Sequence, residues 1–251
     1  MRKLIFGLVF AVLPALGLAA GGAVQLDHIE TDHTNKESLQ RGVALFTNYC
    51  MGCHSMKYAR YKRVADDLGI PVELYEENLI FTGAKIGELM KNSMSKDMAA
   101  GWFGAPPPDL TLETRLRGES WVFSYLRGFY KDESRPLGVN NAVFPDVGMP
   151  HVMVDLQGLC AVHPNVGVEA SVEPLSGNIN NGDLCPQYAS EGSMTEAEFS
   201  QAMYDLTNFM SYMADPVRVE RERLGIFVLI FVAIFFVFAY LLNREYWKDV
   251  H

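Results

Sequence analysis

The apolar residues of this chain form one uninterrupted run near each end and helix-spaced stripes between them. The first run, Leu4 to Leu18, follows the basic pair Arg2 and Lys3 and leads into small residues from Ala19 to Ala23. That order is the pattern of an export signal, so residues 1–22 are set aside from the fold, with cleavage expected near Ala20 to Ala23. The second run, Leu224 to Leu242, has nineteen residues and no charge. As a helix it measures roughly 28 Å, against ~30 Å of bilayer hydrocarbon. Arg221, Glu222 and Arg223 close it on one side and Asn243, Arg244 and Glu245 on the other, while Tyr240, Tyr246 and Trp247 stand where an aromatic belt lies. A core helix apolar on every face would need protein all around it. The pattern therefore predicts a membrane anchor with a short tail over 216–251. Basic residues flank both ends of the span, so charge does not orient it. The export signal does: it places the globular part in the periplasm, the anchor in a bacterial inner membrane and the last nine residues in the cytoplasm.

Residues 23–215 suffice for one domain with its own core. Leu39, Val43 and Phe46, with Ala44 beside them, recur at helical spacing in the stretch Lys36 to Asn48. A second apolar helix is expected from Glu119 to Tyr130. A third starts near Ser193, where Ser193 with Glu196 resembles a capping box, and Phe199, Met203, Leu206, Met210 and Met213 line one face until Pro216. Residues 96–110 end in Gly104-Ala105-Pro106-Pro107-Pro108-Asp109-Leu110 and read as a stiff loop. Residues 131–153 read as a loop broken by prolines, and 155–192 as a long excursion without periodicity. No alternating pattern is long enough for a sizeable sheet.

The formal net charge is −9, with acidic residues gathered at Asp66, Asp67, Glu73, Glu76 and Glu77 and again at Glu169 and Glu173. That balance speaks against nucleic acid as a partner and would steer a basic protein toward the surface.

The chemistry is concentrated in Cys50-Met51-Gly52-Cys53-His54. Two cysteines three apart with a histidine directly after the second are the attachment pattern of a c-type haem. One turn of backbone lets both thiols add across the two vinyl groups of one porphyrin, and the next residue then lies over the iron. The competing reading is a redox dithiol that happens to precede a histidine. A sixth ligand is expected from Met149, which stands in Phe144-Pro145-Asp146-Val147-Gly148-Met149-Pro150-His151. Glycine before it and proline after it give a rigid loop able to present a thioether. His151, Met153, His163, Met94 and Met98 are the alternatives. His/Met ligation raises the reduction potential and fills both axial positions, which argues against oxygen or peroxide chemistry. The other two cysteines, Cys160 and Cys185, would form a disulfide in an exported protein.

Cys50 to Met56, Ala105 to Leu110, Trp121-Val122-Phe123-Ser124-Tyr125-Leu126, Phe144 to His151 and the single terminal anchor follow one another as in the cytochrome c1 family, which this chain resembles over most of its mature length. The resemblance implies a mainly α, cytochrome c-like haem domain with long loop insertions plus one C-terminal transmembrane helix. It implies one covalently bound haem c, and no enzyme activity outside a ubiquinol–cytochrome c oxidoreductase (bc1) complex. The partners would be cytochrome b, the Rieske iron–sulfur protein that gives the electron, a c-type cytochrome that accepts it, and a dimeric complex around them. An arginine after the Pro-Asp-Leu motif would meet a haem propionate; Arg115 and Arg117 both qualify, and spacing favours Arg117. Position 121 is tryptophan where many relatives have tyrosine. The alternatives are a haem c subunit of a terminal oxidase, a free membrane-anchored shuttle, or a thiol–disulfide oxidoreductase using Cys50 and Cys53.

Overall fold

A computed structural model describes residues 24–167, the backbone of 171–172 and 179–180, and residues 184–248. The expected signal segment, Glu169 and Glu173, and the end of the tail lie outside the described residues.

Asn35 caps the first helix, α1 (Lys36–Leu45), by accepting from the Ser38 N–H. The helix does not stop at Leu45. It widens into a single π-turn over Phe46–Cys50, closed by Met51 N–H to the Phe46 carbonyl at 2.9 Å. Then follow β1 (Met56–Arg60), α2 (Tyr61–Leu68), α3 (Val72–Leu79) and β2 (Leu89–Met90), which pairs antiparallel with β1. The short helices α4 (Lys96–Phe103), α5 (Glu113–Arg117) and α6 (Glu119–Arg127) come next. After them lie β3 (Phe129–Lys131), β4 (Val139–Asn141), α7 (Val154–Gln157), β5 (Gly158–Cys160), β6 (Ser171–Val172), β7 (Ile179–Asn180) and β8 (Tyr188–Glu191). The chain closes with α8 (Glu196–Ala214) and α9 (Arg218–Tyr246).

The core lies where α8 crosses α1. Leu39, Val43 and Phe46 from α1 meet Met203, Leu206, Phe209, Met210 and Met213 from α8 in one buried cluster, joined by Val122, Phe123 and Leu126 of α6. Gly42 makes the crossing close: a Cβ there would lie 2.5 Å from Phe209 Cβ and nearer still to the Asp205 carbonyl oxygen. Asp205 in turn accepts from Ser38 Oγ at 2.7 Å and from Arg41 at 2.6 and 3.0 Å. A second tie is a buried ion pair between Asp27, in the extended N-terminal segment, and Arg127 at the end of α6, at 2.6 Å with each side chain 1% exposed.

Several sequence expectations change. Residues 96–103 are helical, because Ser95 caps the Met98 N–H and the prolines begin only at Pro106, past the Gly104 C-cap. The box that starts α8 is Thr195 with Glu198, not Ser193 with Glu196; Glu196 instead accepts from the Leu184 and Cys185 N–H groups and the Tyr188 hydroxyl. The second expected helix stops at Arg127 instead of Tyr130, and Phe129 and Tyr130 join the stretches read as loops in a four-stranded sheet in the order β4-β3-β5-β8, with β3 parallel to β5 and its other pairings antiparallel. Its strands are three or four residues long, too short to show a period of two. Cys160 of β5 is joined to Cys185 by a disulfide, their Cα atoms 5.5 Å apart. Asp66 and Asp67 are not simply solvated: Lys62 and Arg63 pair with them one turn back, and the Tyr212 hydroxyl donates to Asp67 at 2.6 Å.

α9 has 29 residues, roughly 43 Å of helix, and none of its side chains is buried. It is long and apolar enough to cross a membrane, and it starts six residues before the expected run. Its first turns are pinned to the domain by Arg218 on Glu119 at 3.1 Å and Arg221 on Asp215 at 2.7 Å.

Candidate haem site

The π-turn decides where the two thiols lie. A π-turn inserts one residue into a helix and turns the following side chains onto a new face, and such turns gather at functional sites. Cys50 is the last residue of that turn and is 5% exposed; Cys53 is half-buried, and both are free thiols. The His54 N–H bonds the Cys50 carbonyl at 2.8 Å, which folds the tripeptide between them into one compact turn. Burial, and then the neighbouring Cys53, push the Cys50 thiol up to about 12. A redox dithiol would instead need a nucleophile of lowered pKa.

His54 is held from the proline loop. Its Nδ1 lies 2.8 Å from the Pro108 carbonyl. A carbonyl only accepts, so Nδ1 carries the proton and Nε2 is left with the free lone pair. The same loop is tied on by Leu110 N–H to the Ser55 carbonyl at 2.9 Å and by Asp109, which accepts from Lys57 N–H at 2.8 Å. Burial holds the imidazole below its usual pKa, against the Pro108 carbonyl and Glu113, which raise it. The neutral ring protonated at Nδ1 is the form a metal ligand needs.

Met149 sits on an aromatic wall. The Tyr125 hydroxyl donates to its Sδ at 3.3 Å. Tyr125 is stacked on Trp121, with centroids 5.0 Å apart and planes at 8°, and meets the edge of Phe129 at 5.4 Å. The loop carrying Met149 is built by buried asparagines. Asn141 Oδ1 accepts from the Val143 and Phe144 N–H groups, and Asn140 Oδ1 accepts from Asp146 N–H. Asp146, at φ 61°, is the one non-glycine residue in left-handed backbone among the described residues, and Arg135 holds its carboxylate at 2.7 Å. Gly148 lies so close to α4 that a Cβ there would be 3.1 Å from the Phe103 carbonyl. The segment 103–110 thus touches both the His54 turn and the Met149 loop.

Three of the alternative ligands, His151, Met153 and His163, are engaged elsewhere. His151 stacks on Phe129 at 4.9 Å with its Nε2 3.1 Å from the Gly158 carbonyl, and Met153 is fully buried in the main core. His163 leans on Tyr130 and contacts the Pro164 carbonyl. Met94 is half-buried, and Met98 is exposed at the start of α4. Of the two arginines, Arg117 lies 4.7 Å over the Trp121 ring and 5.6 Å from Phe144, steered by Glu113 at 3.1 Å. Arg115 instead lines a cleft with Arg218 and Arg221 at the root of α9.

These donors fit a c-type haem: two free thiols in one turn, a neutral imidazole with Nε2 unprotonated, and a thioether on a loop braced against the same segment. Phe144, exposed beside Trp121 and Arg117, is apolar surface that a porphyrin would bury. Tyr125 was not singled out by sequence reading, because only the fold brings α6 against the Met149 loop.

A mainly helical domain with a CxxCH turn and one apolar terminal helix defines the membrane-anchored c-type cytochromes. Residues 28–250 match the model of the Cytochrome C1 family. The chain belongs to that family, and with it come electron transport and a haem c cofactor. It is 45% identical over the full length of both chains to cytochrome c1 of Allochromatium vinosum. It is 38% identical, again over the whole of both, to a Nitrosomonas europaea protein named ammonia monooxygenase gamma subunit. It is 26% identical to the mitochondrial cytochrome c1 haem protein of Neurospora crassa, over 84% of this chain and 62% of that one.

Proposed function

We propose that this chain is the haem-bearing subunit of a bacterial bc1 complex. It takes single electrons from a Rieske iron–sulfur protein and passes them to a c-type cytochrome, with the domain in the periplasm, the tail in the cytoplasm and cytochrome b beside it in a dimeric assembly. The observation that carries this reading is the CxxCH turn, with His54 Nδ1 committed to Pro108 and Nε2 left to ligate. Cys50 and Cys53 would tether one haem c covalently, His54 and Met149 would ligate its iron, and Arg117 would offset a propionate. When bound, the haem supplies a one-electron ferric/ferrous couple of high potential. The protein's part is to hold both ligands on braced segments, so that little rearranges on electron transfer. The Pro108 carbonyl fixes the His54 ring and its tautomer, as partners of metal-bound histidines do. Arg117 is held over Trp121 with its terminal nitrogens free of Glu113, which bonds only Nε.

The test is covalent haem staining with the spectrum and midpoint potential of the purified chain, wild type and Met149→Leu. Haem should stain in both, and the potential should fall in the variant. A Met149→Leu protein of unchanged spectrum and potential rejects Met149 as ligand; absence of stain rejects the whole reading. Purification through the anchor separates the placements: a dihaem cytochrome b and a Rieske protein support a bc1 complex, whereas oxidase subunits point to the alternative. The name of the Nitrosomonas relative invites a second placement, and the same purification tests it: monooxygenase subunits in place of cytochrome b would carry it.

A further inference from the structure

Tyr125 contributes a group that cysteine, histidine and methionine motifs do not announce. Its hydroxyl is 3.3 Å from Met149 Sδ, within hydrogen-bonding range for sulfur, and thioether sulfur can only accept. We propose that Tyr125 is a positioning and tuning residue for the axial methionine, orienting its sulfur and setting the reduction potential through this hydrogen bond. The proposal rests on Met149 being the axial ligand.

Two observations carry it. First, the phenol cannot swing away. Its ring is clamped face to face by Trp121 at 5.0 Å and edge-on by Phe129 at 5.4 Å, while Asn141 Nδ2 holds the Tyr125 carbonyl at 2.8 Å. Second, the clamp is itself braced, because the Arg117 guanidinium lies over the Trp121 ring at 4.7 Å and is steered by Glu113.

The consequence follows from sulfur's two lone pairs. A hydrogen bond to one of them fixes which way the other faces, so Tyr125 selects a single configuration of the ligand. It also draws electron density from sulfur, which weakens donation to ferric iron more than to ferrous iron and so favours the reduced state. A net hydrogen bond of ordinary strength corresponds to roughly a two- to fivefold change in the reduction equilibrium, or about 20–40 mV at 59 mV per decade.

The experiment uses the full-length protein with haem attached. Tyr125→Phe keeps the ring and its stacking and removes only the oxygen. The expected result is a midpoint lowered by about that amount, with the far-red thioether-to-iron charge-transfer band retained but shifted. Site-specific 3-fluorotyrosine at position 125, a stronger donor of nearly the same shape, is expected to move the midpoint upward. It keeps the test valid should the phenylalanine variant assemble poorly. Opposite shifts support the inference. Midpoints that do not move, or move in the same direction, overturn it. Failure of the underlying reading looks different: the far-red band would then survive in Met149→Leu, whereas if only the Tyr125 inference fails, the band vanishes in Met149→Leu while the Tyr125 variants stay at the wild-type potential.

Discussion

Replacing Gly42 by alanine tests whether the α1–α8 crossing is as tight as it looks. The added Cβ would lie 2.5 Å from Phe209 Cβ, and closer to the Asp205 carbonyl oxygen. Carbon atoms sit best at ~3.5–4 Å, so the helices must part by about 1 Å. Neither neighbour is a flexible tip. One is backbone, and the other begins a ring packed on Phe46 at 5.9 Å. The shift would also pull Asp205 from Ser38 and Arg41, which hold its carboxylate at 2.6–3.0 Å. Overpacking of this kind costs up to about 3 kcal/mol, and the better helix propensity of alanine returns about 1 kcal/mol. The net loss is about 2 kcal/mol, equivalent to roughly 4–8 °C in melting temperature for a domain of this size. Thermal unfolding of the haem-loaded protein, followed by circular dichroism, reads it. Gly101 of α4, where a Cβ meets nothing within 4 Å, is the control, and Gly101→Ala should melt no lower than wild type. A Gly42→Ala protein as stable as the control would refute the close crossing.

Asp27→Asn leaves Arg127 charged and buried without its partner, and should cost about 3–5 kcal/mol; the double change with Arg127→Met should cost less than the single one, and additive losses in chemical denaturation would contradict the pairing. The Cys160–Cys185 bond closes 25 residues, so Cys160→Ala with Cys185→Ala should lose about 3–4 kcal/mol by loop entropy; an unchanged denaturation midpoint means the bond is not formed in the native protein. His33, its Nε2 2.8 Å from Ser211 Oγ, has its pKa lowered by burial first and by Arg218 second, against Glu119, Asp215 and Asp32, which raise it. The unfolded chain therefore takes up that proton more readily than the folded one, and stability should fall as pH drops through the ordinary value of 6.5 and below. His33→Gln should flatten that part of the pH–stability curve, and an identical curve would acquit His33.

What could be read from the sequence was what local chemistry fixes. Cys50, Cys53 and His54 announce themselves because covalent attachment demands their spacing. The stripe of α8 shows because its large apolar residues recur at a helical period, although the polar residues between them, such as Asp205, Asn208 and Ser211, are buried as well. The helix over 96–103 was hidden by the prolines that follow it, although Ser95 and Gly104 were both in place as its caps. The β3–β8 sheet left no mark, since three-residue strands carry too few alternations. The Asp27–Arg127 pair and the Tyr125–Met149 contact join residues far apart in the chain, and nothing local distinguishes them from ordinary neighbours. Spacing could only favour Arg117 over Arg115, whereas the turn of α5 sends Arg117 over Trp121 and Arg115 to the cleft at the root of α9.

The position of α6 links these findings. At its start Glu119 holds Arg218, the first residue of the apolar helix, and accepts from Ser211 of α8. One and a half turns on, Tyr125 holds Met149, and at its end Arg127 is locked to Asp27. Nine residues of helix span roughly 13 Å, so the membrane anchor, the aromatic wall and the N-terminal strap are fixed to a single short rod. A domain meant to swing on its anchor would gain nothing from the ties of Arg218 to Glu119 and of Arg221 to Asp215. For the proposed function, this arrangement would hold the CxxCH turn and the Met149 loop at a set height and tilt above the membrane.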